Sequence, residues 1–319
     1  RYEFVAFWRE KDIPSGALDR PFGIAVSADG DLYVTDARRR VVRLNAQGEF
    51  KGEWGGAGSQ PDRFENAVGV AVGADGSVFV TDYDLDRIQK FTPDGKFVSA
   101  FGSSGSKPGE FNAPAGVAVD REGTIYVADF YNSRVAQFGP DGALRKIIGH
   151  PGRLGGGALH YPTDVQISSD GTLIVADAYN YQLQWFDPGG QPTRRVGRHL
   201  LWLWPRPASA TKGFAVPTGI AVAGDFIHVA DSGNHRVVML TPRGEYVAEL
   251  KIPDPMPAIH SPEKVAVSPD GRTVYATDYA ANRIAVLRVV WGTARTRAVQ
   301  RRRKPRRPAR SKQTRGNQT

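Results

Sequence analysis

The chain has no cysteine among its 319 residues, so disulfides and thiolate metal sites are excluded. No apolar run approaches the ~20 residues that a membrane-spanning helix needs. There is no Gly-x-Ser-x-Gly elbow and no phosphate-binding loop. Residues 291–319 contain no acid at all. They hold eleven basic residues: Arg295, Arg297, Arg301, Arg302, Arg303, Lys304, Arg306, Arg307, Arg310, Lys312 and Arg315. The rest of the chain has 31 basic against 33 acidic residues, a net of −2, so the formal charge of +9 belongs to the tail.

What the chain does have is a repeat. Related stretches begin at Asp36, Asp82, Asp129, Asp177, Asp231 and Asp278, at steps of 46 to 54 residues. A period of this length predicts a solenoid, propeller or array. The third unit is the clearest. Pro114 to Asp120 reads as a first strand, Thr124 to Ala128 as a second, Val135 to Phe138 as a third and Ala143 to Ile148 as a fourth. Glu122-Gly123 and Asp141-Gly142 are hairpin turns, because glycine accepts positive φ without steric cost. The same punctuation recurs at Asp29-Gly30, Asp75-Gly76, Asp170-Gly171 and Asp270-Gly271. A lone four-stranded meander cannot bury both faces, whereas several packed around an axis can, as in a β-propeller.

Pro217-Thr218-Gly219-Ile220-Ala221-Val222, Val229-Ala230-Asp231-Ser232-Gly233-Asn234-His235-Arg236-Val237 and Ala276-Thr277-Asp278-Tyr279-Ala280-Ala281-Asn282-Arg283-Ile284 resemble NHL repeats. The resemblance runs from Tyr2 to about Leu287. It implies an all-β fold: a six-bladed β-propeller of four-stranded antiparallel blades. Residues 1–291 are expected to form the propeller and 292–319 a disordered basic tail. Tyr2 to Trp8 looks like an orphan fourth strand, and the sixth repeat has only three. The N-terminal strand is therefore expected to complete the last blade and close the ring, leaving no sheet edge between first and last. A monomeric propeller is expected.

Five repeats pair an Asp with an Arg: Asp36 with Arg40, Asp82 with Arg87, Asp129 with Arg134, Asp231 with Arg236, and Asp278 with Arg283. The fourth has Gln182 instead. Regular recurrence argues for turn-fixing ion pairs, since a catalytic constellation is asymmetric. Departures from the repeat are the functional candidates. In antiparallel blades the start of the first strand and the second-to-third connection share one face. That face gathers Tyr83, Asp84, Phe130, Tyr131, Tyr179, Asn180, Tyr181, Asn234, His235 and Tyr279. Nearer the axis it gathers Thr163, Asp164, Thr218, Glu263 and Lys264, with Asp164 and Lys264 replacing the glycine of Gly23, Gly69, Gly116 and Gly219. Two readings stand: a solvated loop face with ordinary turn residues, or a rim that binds a protein, peptide, glycan or other polar ligand without catalysis. Leu200-Leu201-Trp202-Leu203-Trp204 lies in the longest linker. Trp202 and Trp204 either pack over a blade edge or contact a partner, ligand or membrane surface.

Propeller enzymes define the alternative, a metal-dependent hydrolase or lyase using the central channel. NHL-like peptidylglycine lyases hold zinc through histidines at the heads of the innermost strands. Here those positions are Phe22, Val68, Ala115, Thr163, Thr218 and Glu263. Lactonase-type propellers use calcium, toward which Asp164 and Glu263 are the oxygen donors available. A third reading gives the tail nonspecific, salt-sensitive contact with nucleic acid or another polyanion. The start at Arg1 rather than Met leaves two readings, a removed signal peptide or lipoprotein leader or a cloning boundary, and the first gives a slight preference for an extracytoplasmic over a cytoplasmic compartment.

Overall fold

The hairpin glycines Gly30, Gly76, Gly123, Gly171 and Gly271 have φ between +71° and +88°, the backbone that their Asp-Gly or Glu-Gly turns require. Between such turns the chain forms six four-stranded antiparallel sheets, seen in a computed structural model that describes residues 1–8, 16, 18–197, 199–201, 204–206, 213–250 and 258–290. Blade 1 runs Ile24–Val26, Leu32–Asp36, Arg40–Leu44 and Phe50–Gly55. Blade 2 is Ala67–Val72, Val78–Asp82, Arg87–Phe91 and Phe97–Phe101, and blade 3 is Pro114–Val119, Ile125–Asp129, Arg134–Phe138 and Leu144–Ile148. Blade 4 comprises Pro162–Ile167, Leu173–Asp177, Gln182–Phe186 and Pro192–Val196. Blade 5 comprises Pro217–Ala223, Phe226–Asp231, Arg236–Leu240 and Tyr246–Glu249. Blade 6 takes Pro262–Val267, Thr273–Asp278 and Arg283–Val289 from the end of the chain, and Tyr2–Trp8 from its start. The innermost strands of successive blades touch all the way round, last to first.

Ring closure is built from backbone and side chain together. Tyr2 pairs with Val289 and Trp8 with Ile284. The terminal amine donates to Val290 O at 2.9 Å, and Val290 N returns a bond to Arg1 O at 2.8 Å. Tyr2 Oη lies 2.7 Å from His228 Nδ1 in blade 5, with both side chains buried. Burial pushes the Tyr2 phenol well up and pulls the His228 imidazole down to about 4, so the pair is neutral.

Second strands such as VFVTD, IYVAD and LIVAD are buried at every residue, because neighbouring blades cover both their faces. Each adjacent pair of blades shares its own apolar cluster, giving six interblade cores in place of one central one. A plug fills each wedge: Leu18, Phe64, Phe111, Leu159, Phe214 and Ile259 are all buried, four residues before the head of the innermost strand. Gly102, at φ +96°, faces the Phe111 ring so closely that an added Cβ would lie 2.5 Å from it.

The repeated aspartates fasten each blade to its own linker. Asp129 Oδ1 accepts Asn112 N at 2.8 Å, and its Oδ2 accepts Arg134 Nε at 2.7 Å. Arg134 then donates to the carbonyls of Ser106, Lys107 and Glu110. Asp36–Arg40, Asp231–Arg236 and Asp278–Arg283 form ion pairs of 2.7 to 3.0 Å in the same place. Asp82 and Arg87 differ: their nearest approach is 3.8 Å, and Arg87 spends its donors on the carbonyls of Ser59, Gln60 and Arg63. In blade 4 three amides replace the guanidinium, with Asn180, Gln182 and Gln184 all donating to Asp177 Oδ2 at 2.7 to 2.8 Å.

Candidate functional site

Six residues, one per blade, ring the axis where the innermost strands begin: Phe22, Val68, Ala115, Thr163, Thr218 and Glu263. Their carbonyls point at the neighbouring blade and must be satisfied there. In blades 1, 2 and 6 the residue before the repeated aspartate is threonine. Thr35 Oγ1 donates to Val68 O, Thr81 Oγ1 to Ala115 O, and Thr277 Oγ1 to Phe22 O, at 2.7 to 2.8 Å. In blades 3, 4 and 5 that residue is Ala128, Ala176 or Ala230, which has no donor. Lys264 stands in. Its Nζ donates to Thr163 O at 2.8 Å and to Thr218 O at 2.9 Å, and lies 3.2 Å from Asp164 Oδ1. Asp164 Oδ2 accepts Ile220 N at 2.8 Å, so one carboxylate ties blades 4, 5 and 6.

Asp164 and Lys264 are therefore placed below the turn face, at the axis, with both residues buried. Burial pushes the Asp164 carboxyl up and the Lys264 ammonium down, and each opposes the other's shift by its charge. The glycines beside them make room: a Cβ on Gly116 would strike Asp164, and one on Gly219 would lie 2.7 Å from Lys264 Cα. The axial space left is about 20 Å³, enough for one water and no substrate. Asp164 and Lys264 thus fill the axis at this level.

Above this floor the turn face opens into a funnel of about 310 Å³. Five of the six ring residues line it, with Arg20, Tyr83, Phe130 and Tyr279 forming its rim. Phe22 and Tyr279 meet edge to face at 6.1 Å. On the side of blades 2 to 4 the rim broadens into an aromatic platform. Phe130 stacks on Tyr161 at 5.0 Å, and Tyr161 on His160 at 4.3 Å. Tyr131 and Tyr179 stand against this stack edge to face, 51% and 43% exposed. Tyr161 holds φ +54°, an uncommon conformation for a bulky side chain, with its N–H accepted by Ser133 Oγ of the preceding blade. Burial raises the Tyr83 phenol, and its hydrogen bond to Tyr131 adds to the shift.

The remaining candidates divide. Glu263 occupies the sixth ring position. Its Oε1 accepts Ser261 Oγ at 2.8 Å and Ser232 Oγ at 3.3 Å, and burial pushes its carboxyl up. Asn234 is a turn residue, donating to Asp231 Oδ2 at 2.7 Å as Asn132 does to Asp129. His235 and Tyr181 take the left-handed position before the third strand, and His235 Nδ1 bonds to His260 O. Trp204 lies in a strand, Trp204–Arg206, paired with His199–Leu201, while Trp202 and the tail lie outside the described residues. Tyr161 and His160 join the rim in addition to the residues that the repeat pattern singles out. Their signal was a His-Tyr pair immediately before Pro162.

A calcium ion does not fit the floor. Asp164 offers one carboxylate already taken up by an ammonium and two backbone N–H groups, whereas calcium needs six to eight oxygens. Among the described residues no three His, Asp or Glu side chains gather as a metal site would require.

The NHL repeat family model matches residues 111–138, 159–186 and 214–239, within blades 3, 4 and 5 and the linkers before them. No curated protein matches the sequence. Among solved structures, a streptogramin B lyase is similar at 17% identity and a TM-score of 0.61, covering 91% of this chain and 98% of the lyase. Virginiamycin B lyase from Staphylococcus aureus is similar at 18% identity and a TM-score of 0.59, covering 91% of this chain and all of the lyase. A nidogen/laminin complex gives 20% identity and a TM-score of 0.55, covering 73% of this chain and 80% of the matched chain. At these identities the likeness is one of fold, and the fold hosts both catalysis and binding.

Proposed function

We propose that this six-bladed β-propeller, three of whose blades match the NHL repeat, is a noncatalytic recognition module that takes its ligand into the funnel on the turn face. The observation that carries this reading is the contrast between floor and rim. The floor is a closed, internally paired ion pair, while the rim exposes aromatic rings around a cavity of ligand size. Phenols such as Tyr131 and Tyr179 offer flat apolar faces with a polar edge, which suits a peptide, a glycan or a small polar ligand with an apolar body. A screen of peptides, glycans and small molecules by thermal shift tests it. Hits should stabilise the wild type and lose that effect in Phe130→Ala and Tyr279→Ala; hits that survive both substitutions would place recognition elsewhere.

A second reading concerns residues 291–319 alone. Eleven basic side chains without an acid suit nonspecific contact with a polyanion. Such binding should fall steeply with salt and vanish on truncation after residue 290, and binding retained by the truncated protein would exclude the tail.

A further inference from the structure

Opposite the funnel, the first strand of each blade turns into the second. These inner hairpins are residues 27–31, 73–77, 120–124, 168–172, 224–225 and 268–272, and they carry eight acids against two bases. Each presents one exposed carboxylate: Asp29, Asp75, Glu122, Asp170, Asp225 and Asp270. Turn chemistry accounts for half of them. Asp75, Asp170 and Asp270 each accept the N–H of the residue two positions on, at 2.9 to 3.0 Å. Asp29, Glu122 and Asp225 make no such bond among the described residues, and in blade 5 the glycine precedes the acid, yet a carboxylate is still present. A hollow of about 500 Å³ opens among the hairpins of blades 3, 4 and 5, walled by Asp120, Glu122, Ser168 and Gly224, with Arg121 as the base among them.

The chain leaves the propeller at this same face. Val289 donates its N–H to Arg272 O of the blade 6 hairpin at 2.8 Å, and the described residues end at Val290. The segment 291–319, with eleven bases and no acid, begins there. At about 3.3–3.6 Å per residue it can reach about 100 Å, against about 50 Å across a domain of this size.

We propose that the hairpin face is a docking surface for the protein's own basic segment, with residues 291–319 lying across the ring of carboxylates from blade 6 to the hollow at blades 3 to 5. Exposed ion pairs are individually weak and are screened by salt. Here several carboxylates act together, and the covalent tether holds the segment at an effective concentration on the order of millimolar. The funnel, on the other face, stays open. The ring competes with any polyanion for the same basic side chains.

The test uses the full chain, whose lack of cysteine allows one nitroxide label, placed by Ser311→Cys without loss of a basic residue. Relaxation of backbone amides is measured by NMR at low and at high salt. A tethered but undocked segment would broaden the hairpins of blades 5, 6 and 1, near its origin. Docking should also broaden the amides of Glu122 and Asp170 across the axis at low salt, and that broadening should fall about threefold or more in 0.5 M salt. In the full chain, Glu122→Gln, Asp170→Asn and Asp225→Asn together should give the same loss at low salt. Broadening confined to blades 5, 6 and 1, unchanged by salt, would overturn the proposal, as would broadening centred on Tyr131 and Tyr179 of the turn face. A mixture of isotope-labelled protein and spin-labelled protein tests for a second copy; broadening of the far hairpins there would also overturn docking within one chain. The salt series decides the matter even if the triple variant does not fold.

Discussion

Replacing Lys264 with methionine keeps the stem of the side chain and removes its charge. Asp164 then remains buried as an unpaired carboxylate, and the carbonyls of Thr163 and Thr218 lose their donor. Breaking a buried pair by removing one partner costs about 3–5 kcal/mol. At about 2.1 cal/mol/K of unfolding entropy per residue, a chain of this size should lose about 5–8 °C in Tm. The carboxyl of Asp164 is already raised by burial, and without the ammonium it rises further. A carboxyl raised in the folded state favours folding at low pH and loses that advantage as pH rises through the folded pKa. The deficit of Lys264→Met should therefore be largest at neutral pH and shrink in acid. The double substitution Asp164→Gly, Lys264→Gly leaves no charge at the axis and copies the four glycine blades. It should cost at least ~1 kcal/mol less than the sum of the single changes Asp164→Gly and Lys264→Gly. Urea unfolding followed by circular dichroism measures all of these. A Lys264→Met protein within about 0.5 kcal/mol of wild type, or strictly additive glycine variants, would refute the axial tie.

Other consequences are as direct. Deleting residues 1–9 removes the strand paired with Arg283–Val289, and thermal unfolding should show destabilisation of the whole ring; an unchanged Tm would refute closure. His228 titrates near 4 when folded against an ordinary 6.5, so the unfolded chain binds the extra proton between those values. Stability present above pH 6.5 should fall by about 3 kcal/mol as pH drops to 4, and His228→Gln should remove that slope; identical pH profiles for the two proteins would refute it. Phe111→Ala empties a wedge between blades and should cost about 3–5 kcal/mol in urea unfolding, against a null expectation of no change if the plug were a surface residue.

The fold was legible because its signals are local and repeated. Asp-Gly turns, apolar runs and the periodic aspartates all lie within one blade, and even closure was readable from the missing fourth strand of the last repeat. The site was harder to read because its meaning is not local. Asp164 and Lys264 stood out as non-glycine, but nothing in either repeat indicates that they point at each other across the axis, a hundred residues apart in sequence. A subtler signal was present in the change from Thr-Asp in blades 1, 2 and 6 to Ala-Asp in blades 3, 4 and 5. It marks the carbonyls that Lys264 must satisfy, and it becomes intelligible only once neighbouring blades are seen together. Likewise, an Arg across the turn from an Asp suggests an ion pair in five blades, yet Arg87 finds three carbonyls closer than its aspartate.

The central claim is recognition without conversion at the funnel. The measurement that meets it most directly is to incubate a screening hit with the full chain at neutral pH, separate protein from solution, and quantify the ligand by mass spectrometry. All of the ligand should be recovered unchanged, bound one to one, with binding lost in Phe130→Ala. A product that accumulates with time and requires the folded protein would contradict it and make the propeller an enzyme.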